Sequence, residues 1–257
     1  MAAQDTQNRW ATLLPHGQLA TRQWLLGQGV SRHALDNALK SGKLIMLARG
    51  VVTRPEIPVS WQGLAASLRR ELSALVYVGG FSALSEAGMS HYLDRSGRLH
   101  LYSSSPQPRW LSRLDLNVHP VWHGTARLWD QQKLLASKSL KGQQLNSGGL
   151  LVASTEQAFL EVLAQVPTVV SFEHADNLIQ GLSALSPRRL DALLRACRHI
   201  LAKRLFFFLA DRYDYPWRKH LSVADYDLGT GKRSVVAGGK LDKTYLITVP
   251  EAFHGSE

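Results

Sequence analysis

Between Leu19 and Arg54 the chain reads LATRQWLLGQGVSRHALDNALKSGKLIMLARGVVTR, and no other stretch limits the fold as tightly. Thr21 can accept from the free backbone N–H groups that open a helix over residues 22–28, with Trp24, Leu25 and Leu26 turned inward. Gly27 and Gly29 bracket a break, as a chain that reverses direction in a few residues requires. Ser31 is a second cap, directly before a helix over residues 32–40. There Leu35 and Leu39 stand four apart beside Ala34 and Ala38, so one narrow face is apolar. The opposite face shows Arg32, His33, Asp36, Asn37 and Lys40. Ser41-Gly42 stops that helix. From Lys43 the period changes: Leu44, Ile45, Met46 and Leu47, then Val51 and Val52, flank Arg49-Gly50 as a hairpin does. Helix, tight turn, helix and hairpin follow in the order of a winged helix-turn-helix.

An exposed helix face with Arg, Asn and Lys can reach base edges and phosphates in a major groove, and Arg49 at the hairpin tip would lie near a phosphate or in a minor groove. Units of this kind also dock proteins, and exposed basic residues often form only a solvated face. The charge balance favours a polyanionic partner. The formal net charge of the 257 residues is +10. Up to Arg70 there are nine Lys and Arg against three Asp and Glu, so the excess is already present in the first quarter of the chain. Nucleic acid is the commonest partner for such a surface, and anionic membrane the runner-up. The single cysteine, Cys197, excludes an internal disulfide and a cysteine-rich zinc site and fits a reducing cytoplasm. The opening MAAQDTQNRW lacks the apolar core of a signal peptide. The strongest apolar run, residues 205–210, is far short of the ~20 residues that span a bilayer.

Residues 5–14 read as a first helix with Trp10, Leu13 and Leu14 on one side. Pro55 and Pro58 mark a linker, which places a domain boundary there. Ser60 caps a helix to about Leu72 that can pack on either domain, with Arg69 and Arg70 at its C-terminal end. Strands are expected at residues 75–78, 100–102, 114–121 and 150–153, a helix at 81–87, and a polar loop, SSSPQPRW, before Leu111. Helices follow over residues 154–164, 172–182 and 187–199, and from 200 to 209, the last two perhaps merging into one. Strands at 234–236 and 244–249, joined by AGGKLDK, close the chain.

The segments GVSRHALDNALKSGKLIMLARGVV, VGGFSALSEAG and GGKLDKTYLITVP, in that order, resemble the AbiEi antitoxins of bacterial type IV toxin–antitoxin systems. The first resembles the family's recognition helix and wing, the second its small-residue helix after a strand, the third its closing strand pair. Val52 departs from the pattern, where an aromatic is commoner after the wing's Arg-Gly-Val. Residues 122–149 match nothing that can be named. The resemblance implies an N-terminal winged helix that binds repeats in its own operon's promoter. It also implies a C-terminal domain that counters a nucleotidyltransferase-like toxin without a tight toxin–antitoxin complex. Arg32, His33, Asn37, Lys40, Lys43 and Arg49 carry over to the DNA-binding role.

Other constellations are weaker. For a nucleotidyltransferase, Gly80-Phe81-Ser82 offers a phosphate turn, but Asp115-Leu116-Asn117 lacks the second metal-binding carboxylate. Gly229-Thr230-Gly231-Lys232 has Tyr226 where a phosphate loop needs glycine and Arg233 where it needs Ser or Thr, so a hairpin turn accounts for it better. His119 and His123 are four apart, but Pro120 argues against a helix that would align them as metal ligands. Arg195 and Arg198 could lower the pKa of Cys197, although a buried cysteine is the ordinary reading. Ser154, Ser171 and Ser222 lack a nucleophile-elbow context. Arg188, Arg189, Arg195, Arg198, Lys203, Arg204, Arg218 and Lys219 crowd a helical region, as a second binding face or as a solvated surface.

The sequence therefore predicts an α+β protein: a winged helix-turn-helix over residues 1–58 and a larger mixed α/β domain over 59–257. The expected function is that of a cytoplasmic DNA-binding antitoxin and autorepressor, not an enzyme, with no cofactor, metal or membrane. Its expected partners are double-stranded promoter DNA with inverted repeats and a toxin opposed without a tight complex. The residues expected to meet DNA are Arg22, Gln23, Ser31, Arg32, His33, Asn37, Lys40, Lys43 and Arg49. The alternative is a protein- or RNA-interaction module with a basic surface.

Overall fold

The structure, a computed structural model, describes residues 10–89, 97–145, 148–236 and 238–253. The chain divides into two compact units. One comprises Met1–Val78, Arg95–His123 and Gly142–Val152, the other Gly79–Asp94, Gly124–Lys141 and Ala153–Glu257.

The first unit begins with β1 (Leu19–Thr21), α1 (Arg22–Gly27), α2 (Arg32–Lys40), β2 (Ile45–Ala48) and β3 (Val51–Thr53). Residues 10–13 are helical, and the rest of the expected first helix lies outside the described residues. Trp10, Leu14, Leu25, Val30, Leu35, Ala38, Leu44 and Val52 bury one another in a single apolar core. The hairpin closes at Arg49-Gly50 as expected, with Ala48 opposite Val51 and a bulge after Met46. The sheet has a third strand that the sequence did not announce. β1 pairs antiparallel with β3, giving the order β1-β3-β2. Three residues are too few for an alternation to show.

The helix expected after Ser60 is α3 (Trp61–Glu71), capped by the Ser60 hydroxyl, which accepts from Gly63 N. It covers the open edge of β1. Ser67 Oγ accepts from Leu19 N at 3.0 Å, and Glu71 accepts from Thr21 N at 2.7 Å. Arg70 donates to the Gln18 side chain and the Leu19 carbonyl at 2.7 and 2.6 Å, and its guanidinium lies 4.4 Å over the Trp24 ring. Side chains thus supply the hydrogen bonds a neighbouring strand would have made. A side chain at Gly63 would collide with the carbonyl of Gly17, so only glycine allows this approach.

The unit also contains a five-stranded sheet of β4 (Val76–Val78), β5 (Arg98–Ser103), β6 (His119–Gly124), β7 (Leu140–Leu145) and β8 (Gly148–Ala153), in the order β6-β5-β4-β8-β7. The strand expected at 114–121 lies further on. Residues 114–118 are irregular, and Leu114, Leu116 and Val118 are only half-buried. Pro120, which donates no hydrogen bond, is tolerated because β6 is an edge strand.

In the second unit α4 (Gly80–Glu86), α5 (Gln131–Ala136), α7 (Phe172–Gln180), α8 (Pro187–Ala196) and α9 (Ile200–Ala210) surround α6 (Thr155–Leu163), which is buried along its whole length. Its polar residues are satisfied inside. Glu161 accepts from Gly80 N, Trp129 Nε1 and Gln157 Nε2, and Ser139 donates to Gln157. α8 and α9 are separate helices, broken at Cys197–His199, where the His199 ring accepts from Ala202 N and starts the second. α5, capped by Asp130, lies in the stretch that matched nothing in the sequence. The closing sheet has three strands rather than two. β10 (Lys240–Asp242) forms within the expected connection and pairs antiparallel with β11 (Ile247–Val249), which runs parallel to β9 (Arg233–Ser234). Residues 229–232 are not a hairpin turn between paired strands. They belong to a loop wrapped around the buried Arg204 guanidinium, which donates to the carbonyls of Leu228, Gly229, Gly231 and Leu246 at 2.7–3.1 Å.

Candidate nucleic-acid interface

The two caps read from the sequence set the interface. Thr21 Oγ1 accepts from Trp24 N at 3.1 Å and Ser31 Oγ from Ala34 N at 3.1 Å, so α1 and α2 each begin at a fixed residue. Between them Gly29 adopts φ 79°, a conformation that favours glycine, and Val30 N returns to the Leu25 carbonyl. Leu35 and Ala38 anchor α2 in the core, with Ala34 and Leu39 packed beside them. That orientation leaves Ser31, Arg32, His33, Asn37 and Lys40 exposed. The Asn37 amide donates to His33 Nε2 at 3.0 Å, which holds both side chains on one turn of the outer face.

The wing is tied to the first helix. Arg22 N donates to the Gly50 carbonyl at 2.7 Å, and Gly50 has φ 80°. Arg49 at the tip and Lys43 at the base of the hairpin are exposed. Gln23 is exposed as well, whereas Arg22 is half-buried and pairs with Asp36 at 2.7 Å. Asp36 is the one acidic residue of α2, and this pair neutralises it within the protein. All nine predicted residues therefore lie on the helix-turn-helix and wing, with Arg22 engaged in an internal contact.

Two features were not anticipated. Ile45 and Met46 on the outer wing strand are 42% and 55% exposed, although the sequence reading treated both as strand-core residues. A groove of about 980 Å³ also runs between the start of α1, the start of α2 and the wing tip. Arg22, Arg32 and Arg49 line it with Trp24 and, from the distant polar loop, Trp110. A lone tryptophan in SSSPQPRW was the only sequence signal. Glu71 also lines the groove, but its carboxylate is 4% exposed and accepts from Thr21 N, and burial raises its pKa.

The other constellations resolve structurally. His123 does not join His119. Its Nε2 lies 2.9 Å from Nδ1 of His100, the two rings stack, and His123 also stacks on Tyr102. Burial pushes both histidines down to about 4, and for His100 the neighbouring His123 and Arg98 add to it. Cys197 is buried, and loss of solvent pushes its thiol up to about 11, so it is not activated. The basic residues of α8, α9 and the turn beyond do not share an open face. Arg189 pairs with Glu156, Arg195 with Asp191 and Asp225, Arg198 with Asp130, Arg218 with Asp211 and Lys219 with Asp214. Lys203 and Arg204 are buried, and Arg188 alone of that run is exposed without an ion pair among the described residues.

Comparison with known families matches the chain from end to end. Residues 3–95 match the family "Transcriptional regulator, AbiEi antitoxin N-terminal domain", and residues 96–250 match "Transcriptional regulator, AbiEi antitoxin, Type IV TA system". None of the curated proteins matches. The crystal structure of the RV2827C protein from Mycobacterium tuberculosis shares the fold, with a TM-score of 0.50 at 20% identity, over 90% of this chain and 85% of that one.

Proposed function

This chain belongs to the AbiEi family of transcriptional regulators, the antitoxins of type IV toxin–antitoxin systems, and from that premise we propose that it represses its own operon by binding promoter DNA. Residues 1–58 are the DNA-binding module. α2 enters the major groove, where Arg32, His33 and Asn37 meet base edges, and Ser31 and Lys40 flank them. Gln23, Lys43 and Arg49 meet the phosphates, and Arg22 holds the first helix to the second through Asp36. Inverted repeats in the promoter are the target. The bound protein blocks transcription sterically, in the cytoplasm and without a cofactor. The larger domain counters a nucleotidyltransferase-like toxin without forming a tight complex.

The observation that carries this reading is the composition of the α2 face. Arg32, His33, Asn37 and Lys40 are exposed together beside the wing tip, and the helix's one acid is already paired. The test is a gel-shift titration on the DNA upstream of the gene and on random DNA. Arg32→Ala should lose preference for the upstream fragment, and Lys43→Ala should weaken binding to both alike. Equal behaviour of the two variants on both DNAs would refute this division of roles. Weak wild-type binding to both, equal at every salt concentration, would instead favour a module that binds protein or RNA.

A further inference from the structure

Resting on the proposed DNA binding, we infer that the duplex interface extends beyond the winged helix to the loop Ser104–Arg113, with Trp110, Arg109 and Arg113 gripping the sugar–phosphate backbone beside the recognition helix. This loop lies outside residues 1–58 and outside the family's N-terminal domain at residues 3–95.

The loop is rigidly built. Leu111 is 1% exposed and anchors it. Trp122 Nε1 donates to the Ser105 carbonyl at 3.0 Å, Ser105 N donates to Ser103 Oγ, and Ser112 Oγ donates to the Arg109 carbonyl. Leu111 N and Arg113 N close a short 3-10 turn onto Pro108 and Trp110. Trp110 is thereby held, half-exposed, in the wall of the groove that Arg22, Arg32 and Arg49 also line. Its indole N–H has no partner among the described residues, and the exposed Arg109 and Arg113 form no ion pair among them.

The chemistry fits a DNA strand. Docking α2 in a major groove carries the flanking phosphates past the helix start and the wing tip, which are the two rims of this groove. The rims are cationic, and the one acid is buried against Thr21 and lies 3.9 Å from Arg70. An indole can pack its face on a deoxyribose and donate Nε1–H to a phosphate oxygen. Arginines on either side of it in sequence can then neutralise the next phosphates. These contacts carry no base information, so the loop adds affinity and footprint rather than sequence preference.

The test uses the full chain on two duplexes, one trimmed to the recognition site and one with flanking sequence, titrated by fluorescence anisotropy at several salt concentrations. Wild type should bind the longer duplex more tightly. In Arg109→Ala/Arg113→Ala that advantage should vanish, and the slope of log affinity against log salt should shallow by about 2, one contact for each arginine. Trp110→Ala should lose part of the same advantage, and the double variant covers the case in which the tryptophan variant does not fold. If the double variant keeps both slope and length dependence while Arg32→Ala still loses site preference, the inference falls and the winged-helix reading stands. If wild type binds neither duplex, the DNA-binding reading falls and takes this inference with it.

Discussion

Residues 19–54 hold six Arg and Lys, and residues 187–219 hold nine. The smaller set leaves the larger free basic surface. In the first region Arg32, Lys40, Lys43 and Arg49 are exposed without an ion pair among the described residues, and only Arg22 and Arg54 are engaged, with Asp36 and Glu56. In the second, Arg188 alone stays both exposed and unpaired among them. The difference lies in the acids. The first region has one, on the same helix as the arginine's target face, whereas the second unit places Glu156, Asp176, Asp191, Asp211 and Asp225 against its arginines. A charge count along the sequence cannot separate these cases, because most of those acids are distant in the chain.

The sharpest break in the comparison is at Arg204, where the basic group builds the fold. Arg204→Met leaves four carbonyls without their donor, and at about 1–3 kcal/mol for each unsatisfied buried group the loss should be at least about 4 kcal/mol. Urea denaturation should show it as a lower midpoint, whereas Arg32→Ala should shift the midpoint by no more than about 0.5 kcal/mol. Arg204→Lys should restore little, since one ammonium cannot reproduce the fork of a guanidinium.

Histidines show the same contrast between buried and exposed bases. His33 is exposed on α2, whereas His100 and His123 are stacked and their folded pKa values lie near 4, below the ordinary 6.5. Above pH 6.5 both states are neutral and nothing is gained or lost. As pH falls from 6.5 to 4 the unfolded chain takes up protons that the folded one refuses, so stability declines. Below 4 both states are protonated and the loss levels off, at up to about 3 kcal/mol for one histidine. Midpoints measured between pH 7 and 4 should fall accordingly, and His123→Phe should flatten the curve.

Smaller effects should follow the exposure of each pair. Arg189→Ala strands the Glu156 carboxylate, which is 4% exposed, with the Ser186 N–H as its remaining donor, and should cost about 2 kcal/mol. Lys219→Ala breaks a fully solvated pair with Asp214 and should change stability by less than about 0.5 kcal/mol. A loss of DNA affinity in Lys219→Ala without loss of stability would return the second region to consideration as a binding face.

The parts of the molecule legible in the sequence were those governed by neighbours in the chain. Thr21, Ser31, Ser60 and Ser154 cap their helices where expected, because a cap needs only its own hydroxyl and an N–H two or three residues on. The Arg49-Gly50 turn was legible for the same reason. What stayed hidden depends on residues brought together from afar. β1 exists because β3 and the side chains of α3 satisfy its two edges. The loop at 229–232 takes its shape from Arg204. Trp110 reaches the groove across more than fifty intervening residues, which no local pattern reports.

The most direct measurement of the central claim is a salt titration of binding to the upstream DNA by two quadruple variants and wild type. One replaces Arg32, Lys40, Lys43 and Arg49 with alanine, the other Arg188, Arg195, Arg198 and Lys219. The account predicts that the first abolishes preference for upstream over random DNA and shallows the log–log slope by roughly 3–4, at about 0.9 for each lost phosphate contact. It predicts that the second leaves both unchanged. A loss of affinity confined to the second variant, with the first binding like wild type, would contradict it.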